Sequence, residues 1–266
     1  MPGAPDLPEL LADLADETGS LLAMLDGLAP ADWERPTTAE GWAVRDQVSH
    51  LAFFDDAIVE AAGDPAAFER SAAELVGGGA DFPDRVAEDH RSVAPAELLA
   101  WFRDSRRALI GSLGRLDARH RLPWYGTTMS VTSAVTARLM ETWAHGEDVA
   151  EALSVRRAPT ARLRHVAHLG VATLGFSFTG HRQPVPSAPV RVELDGPAGE
   201  RWSWGDEAAG DRVAGPALDF CLVVTQRRPV AATALEVDGE VAHRWMAIAQ
   251  AFAGPPTTVR RAGGRP

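Results

Sequence analysis

Apolar residues recur every three or four positions along the first two-thirds of the chain, the spacing that keeps them on one side of a helix. In "PDLPELLADLADETGSLLAMLDGL", Leu7, Leu10, Leu11, Leu14, Leu21, Leu22 and Leu25 fall on such a stripe. Pro36 and Gly41 interrupt the pattern in "ADWERPTTAEGW". A second helix is expected from about Val44 through "RDQVSHLAFFDDAIVEAA", until Gly63 and Pro65 end it. A less regular acidic stretch follows, broken by Gly77-Gly78-Gly79 and Pro83. "PAELLAWFRDSRRALIGSLGRL" is a third amphipathic segment, with Leu98, Leu99, Phe102, Leu109, Ile110 and Leu113 on its apolar stripe. "HRLPWYGTTMS" reads as a loop, punctuated by Pro123 and Gly126. Ser130 or Thr132 then suits the cap of a fourth helix, which carries "ETWAH". A shorter helix over about Ala161 to Leu174 contains "RLRHVAHLGVATL".

The pattern changes near residue 183. "QPVPSAPV" has the composition of a linker. "VRVELDGP" and "RWSWGD" alternate at period two around Gly-containing turns, which predicts a hairpin. "GPALDFCLVVTQRR" and "VAHRWMAIAQAFAG" return to a helical pattern. The expected organisation is therefore α+β: a mostly helical domain over residues 1–185 and a small α/β domain over 186–266. The final "TTVRRAGGRP" is expected to fray.

Composition narrows the chemistry. The net charge of -11 argues against nucleic-acid or acidic-membrane surfaces, which reward clustered cations. The sequence contains no Lys, so no Schiff-base or P-loop lysine is available and every fixed cation is an Arg. This bias, with abundant Ala, Arg, Gly and Pro, suggests a GC-rich genome such as an actinobacterium's. Cys221 is the single cysteine, which excludes an intrachain disulfide and a Cys-based zinc knuckle. It sits among Phe220, Leu222 and Val223 and reads as a buried thiol. No apolar stretch reaches membrane-spanning length. A soluble cytoplasmic protein, monomeric or homodimeric, is the expectation.

Glu141 and His145 are the first candidates for chemistry. Four residues apart on a helix, they share a face with about 5–6 Å between Cβ atoms. They suit two ligands of one ion, an acid/base pair, or a solvated face. From Val131 to Ala144 the only other charge is Arg138, which favours burial. A catalytic divalent ion usually takes three protein groups and keeps an open position. His50, in the apolar run "VRDQVSHLAFF", is the best candidate for the third, against the alternative of a core histidine bonded to a carbonyl. Asp55, five residues on, reads as a neighbour of a ligand histidine or as part of a solvated helix side.

"GWAVRDQVSHLAFFD" together with "ARLMETWAHGEDVA" resembles the metal-binding domain of mycothiol-dependent maleylpyruvate isomerases, within the DinB-like helical bundles that also include low-molecular-weight-thiol S-transferases. "GPALDFCLVVTQRRP" followed by "LEVDGEVAHRW" is similar to their small, sterol-carrier-like C-terminal domain. The resemblance implies a four-helix bundle with a three-ligand site of His50, Glu141 and His145. Zinc suits that set best, with nickel, iron or cobalt also acceptable. It also implies an Arg from the C-terminal domain that binds an anionic substrate or thiol. The matching residue is Arg227, with Arg228 the one-residue alternative, although Thr225 and Gln226 depart from the family's aromatic and small residues there. His168, with His165 beside it, is a candidate acid/base group. Trp124 and Tyr125 are candidates for a wall against a thiol cofactor or flat substrate. The implied activity is isomerisation or thiol transfer on a small molecule, with mycothiol as the thiol. The rival expectations are a thiol-independent metalloenzyme and a non-catalytic metal- or ligand-binding protein.

Overall fold

The computed structural model describes residues 6–254 and residue 256; the expected frayed segment 257–266 lies outside them. By packing, the chain divides between Arg157 and Ala158 into two compact units.

The first unit contains a four-helix bundle of α1 (Leu7–Leu25), α2 (Val44–Gly63), α5 (Pro95–Leu113) and α6 (Val131–Leu153). Two shorter helices, α3 (Pro65–Gly77) and α4 (Phe82–Asp89), occupy the stretch that lacks clear periodicity in the sequence. Each main helix buries its apolar stripe, with Leu10, Leu14, Val48, Leu51, Phe102, Leu109, Val135 and Leu139 all shut away from solvent. Burying such a side chain stabilises the fold by roughly 1.5–3 kcal/mol. Local chemistry sets the helix starts. The Asp46 carboxylate accepts the Ala43 N–H (2.8 Å) at the head of α2, and Asp64 accepts the Ala67 N–H (3.0 Å) at the head of α3. Of the two caps suggested for α6, Ser130 serves, accepting the Ser133 N–H at 3.1 Å. At the other end, the Arg157 guanidinium bonds to the Trp143 carbonyl (3.1 Å), to Glu147 (2.8 Å) and to the buried carboxylate of Glu17.

The segment expected to be a loop before α6 is a β-hairpin. Strands β1 (Arg121–Trp124) and β2 (Thr127–Ser130) pair antiparallel across a turn at Tyr125 and Gly126. Gly126 has φ +75°, a left-handed conformation that lets the chain reverse within two residues. The hairpin is too short to announce itself by alternation, and Pro123 within it masks the strand.

The second unit begins with α7 (Leu163–Ala172), the helix expected over about Ala161 to Leu174, followed after Thr173 by a further short helix, α8 (Leu174–Gly180), that the sequence did not suggest. Within this unit, α7 packs against α9 and α8 against α10. Gly170 makes the first contact close: a Cβ there would meet Val224 Cγ2 at 2.7 Å. The expected hairpin forms from β3 (Val190–Asp195) and β4 (Arg201–Trp204). Val190, Val192 and Leu194 point inward, as do Trp202 and Trp204. Two further strands, β5 (Asp211–Pro216) and β6 (Glu236–Asp238), complete a sheet of order β4-β3-β5-β6 with β3 and β5 parallel. Helices α9 (Ala217–Val224) and α10 (Glu240–Ile248) follow them. Cys221 is buried on α9, as its apolar neighbours suggested. Among the described residues, no helix is long and apolar enough to cross a membrane.

Candidate metal centre

Helices α2 and α6 pack side by side and bring His50, Glu141 and His145 together. One potential ligand atom from each lies within 4.8 Å of the others. Both imidazoles turn Nε2 toward the same carboxylate oxygen, Glu141 Oε2, at 3.5 Å from His50 and 2.9 Å from His145. The side chains retain 12, 21 and 11% exposure, so the cluster opens to solvent. Burial pushes the His50 imidazole down to about 4, reinforced by the neighbouring His145 and opposed by Glu141. Burial works against the Glu141 carboxylate, but hydrogen bonds from His145 and His50 outweigh it and hold the carboxyl well below its ordinary range.

The residues fit a divalent cation. Bonds of about 2.0–2.1 Å to a tetrahedral centre put ligand atoms about 3.3 Å apart, and the two contacts at 2.9 and 3.5 Å bracket that edge. The donor set of two imidazoles and one carboxylate suits zinc and other first-row ions. His50 Nδ1 is buried and has no hydrogen-bond partner among the described residues, so none of them fixes that ring on the Nδ1 side. Among the described residues, no fourth His, Cys or carboxylate joins the cluster.

Aromatic rings line it. Trp42 lies nearly parallel to the His145 ring, with centroids 6.0 Å apart, and Phe54 sits 4.6 Å from His50. Phe54 in turn meets Trp124 (6.1 Å) and Tyr125 (5.7 Å) from the hairpin turn. Both hairpin residues also line an open groove of about 650 Å³ against Phe68, Ala72 and Val76 of α3. Sequence reasoning missed Trp42, which a loop contributes, and Gln47, which is fully buried with its Oε1 on His145 Nδ1. A neutral amide in a helical run carries no signal of such a role.

Asp55 is neither solvated nor beside a ligand histidine. It is fully buried, with Arg106 at 2.6 Å and Arg138 at 2.9 Å. Arg106 also donates to Thr18 (2.7 Å) and Thr142 (2.9 Å), and Arg138 to the Leu51 carbonyl (3.1 Å).

Arg227 and His168 belong to the second unit. His168 is exposed on α7. Arg227 is half-buried just after α9, where Gln226 adopts a left-handed φ of 61°. The Arg227 and Gln226 N–H groups return to the Leu222 (2.8 Å) and Val223 (2.9 Å) carbonyls, a Schellman closure that fixes the backbone of the "TQRR" turn. The Arg227 side chain donates to the Thr225 carbonyl at 2.7 Å.

The bundle matches the family model described as the mycothiol maleylpyruvate isomerase N-terminal domain over residues 14–150, just over half of the chain. A second model, wyosine base formation, matches residues 186–236. The uncharacterized proteins MT0041 and Rv0036c, from two Mycobacterium tuberculosis strains, are each 44% identical over 246 residues, covering 92% of this chain and 96% of theirs. The crystal structure of the mycothiol-dependent maleylpyruvate isomerase superposes with a TM-score of 0.59 at 16% identity, over 84% of this chain and 90% of that one. A histidine-to-alanine mutant of that enzyme gives 0.58 at 15% over the same shares. The chain therefore belongs to the mycothiol maleylpyruvate isomerase family, and its fold is that of the isomerase.

Proposed function

We propose that this protein is a divalent-metal-dependent isomerase or transferase that uses a low-molecular-weight thiol, mycothiol by family, on a small electrophilic substrate. The observation that carries the reading is the convergence of His50, Glu141 and His145 in a partly open, aromatic-walled site. A zinc or similar ion bound there would supply Lewis acidity and favour the thiolate form of a thiol at neutral pH. Glu141 contributes the one negative charge of the trio, and the two imidazoles contribute neutral donors. Trp42 and Phe54 flank the two imidazoles and offer flat apolar faces to a substrate. Trp124 and Tyr125 extend that wall and are assigned to the thiol or substrate body. Arg227 is assigned to an anionic group of either, because a guanidinium binds a carboxylate through two parallel hydrogen bonds. His168 is assigned to proton transfer. Among the described residues the cluster stops at three ligands, the count of an open catalytic site, which supports an enzyme over a closed structural site.

Metal analysis and thiol titration test this. Purified without an affinity tag, the protein is expected to hold one zinc-sized ion per chain. His50→Ala and Glu141→Ala are each expected to weaken zinc binding by at least about 100-fold, more than losing a group behind a ligand usually costs. Calorimetry should then show mycothiol binding to the zinc-loaded protein. Full metal occupancy in both variants would remove the site assignment, and no binding at millimolar mycothiol would remove the thiol.

A further inference from the structure

We infer that Gln47 is a positioning residue of the metal centre: it fixes His145 with its proton on Nδ1 and so commits Nε2 to the metal. The inference rests on the metal reading above and assigns a role to a residue outside the ligand trio.

Donor counting along one chain of hydrogen bonds, half-buried at Thr37 and buried at Gln47, carries it. The chain starts at the Trp42 carbonyl, which can only accept. The Thr37 hydroxyl donates its single proton to that carbonyl at 2.9 Å. Thr37 Oγ1 is then left with lone pairs only, and it accepts the Ala39 N–H at 3.3 Å. Its other partner, the Gln47 amide at 2.8 Å, must therefore present its NH2 group. That orientation turns Gln47 Oε1 to His145 Nδ1. An amide oxygen accepts and never donates, so Nδ1 carries a hydrogen. In the neutral ring the lone pair then sits on Nε2, the atom that faces Glu141 Oε2 and His50.

Burial makes this assignment firm. Gln47 is fully enclosed, so water does not compete for either end of its amide. Trp42 ties the chain off twice, through its carbonyl on Thr37 and its ring against the His145 face. The other imidazole has no equivalent among the described residues, where His50 Nδ1 meets no acceptor. One ligand histidine is thus held in a single tautomer and ring orientation, and the other is not. The nearest carboxylate oxygen on that side, Asp148 Oδ2, stands 3.9 Å from Nδ1, beyond hydrogen-bond reach, so the neutral Gln47 amide is the group that orients the ring.

The test uses the zinc-loaded, full-length chain with 15N-labelled histidine. Long-range 15N–1H correlation is expected to show His145 protonated at Nδ1 with Nε2 on zinc. Zinc bound through Nδ1, with the proton on Nε2, would overturn the inference and leave the metal reading standing. Failure of the wild type to bind zinc would remove both. Chelator competition supplies a second readout. Gln47→Leu is expected to weaken zinc binding by about 10- to 100-fold. Gln47→Glu, which keeps an acceptor oxygen, is expected to restore affinity to wild type or better. Wild-type affinity in a folded Gln47→Leu, or equal losses in the two variants, would also sink it. The resonance experiment reads the wild-type chain, so the outcome does not depend on a variant that folds.

Discussion

Helices α2 and α6 each contribute to two buried polar clusters that differ in kind. Asp55 of α2 and Arg138 of α6, with Arg106 of α5, form a knot whose carboxylate is fully buried and meets both guanidiniums. His50 of α2, with Glu141 and His145 of α6, lies about a turn away along the same two helices. In the knot, the guanidiniums also find threonine hydroxyls and a carbonyl. In the trio, two imidazoles crowd one carboxylate oxygen, one ring nitrogen lacks a partner among the described residues, and solvent reaches in. A polar group inside a bundle is thus not a site in itself. A cluster whose buried donors and acceptors pair with one another holds helices in register, and one whose donors converge without completing each other is open to a cation.

Breaking the knot is expected to have the larger effect on stability. Asp55→Ala leaves two buried guanidiniums without their anion and should cost about 3–5 kcal/mol in chemical denaturation. Its signature is a lowered midpoint that saturating zinc does not restore to the wild-type value. A loss under about 1 kcal/mol would mean that the knot is dispensable.

Acid should separate the clusters next. With its pKa lowered to about 4, His50 stays neutral in the fold where the unfolded chain, near 6.5, has already taken up a proton. Between those values the unfolded state binds more protons, so stability of the metal-free protein rises with pH and falls on acidification from about 6.5 to 4. The drop should reach up to about 3 kcal/mol, and His50→Asn should flatten it. Glu141, held below the ordinary carboxylate range, adds a further loss below about 4.5, again as pH falls. A wild-type curve that stays flat over this range would contradict the burial of His50. The smallest effect concerns the helix that serves both clusters. Ser130→Ala removes the cap of α6 and should cost about 1 kcal/mol by thermal melts, with zinc affinity unchanged. A fall in affinity would tie the trio's geometry to the end of α6.

The sequence made the trio legible and hid the knot, for a physical reason. Glu141 and His145 share a helix, so their spacing alone puts them on one face, and the apolar flank of α6 marks that face as buried. Asp55 finds its partners 51 and 83 residues away, and no local pattern shows a pairing that only the packed bundle makes. The same holds for Gln47 and His145, 98 residues apart. Helices α1, α2, α5 and α6 followed from periodicity because each buries one continuous stripe. Strands β3 and β4 were legible because inward and outward residues alternate along them, whereas β1, β2, β5 and β6 carry no run of alternating buried and exposed residues. Arg227 stands out in "TQRRP" only through the family, since no local rule separates it from Arg228.

Arg157 sets a practical boundary for dissecting the molecule. The family model closes at residue 150, which invites an expression fragment cut there. Such a cut discards the guanidinium that meets Glu17 and Glu147 and bonds the Trp143 carbonyl two residues before His145. Gly146, where a side chain would collide with that guanidinium at 2.9 Å, is shaped to receive it. A recombinant bundle therefore needs the seven residues beyond the family boundary to carry its own latch, and Arg157 is the natural last residue to keep.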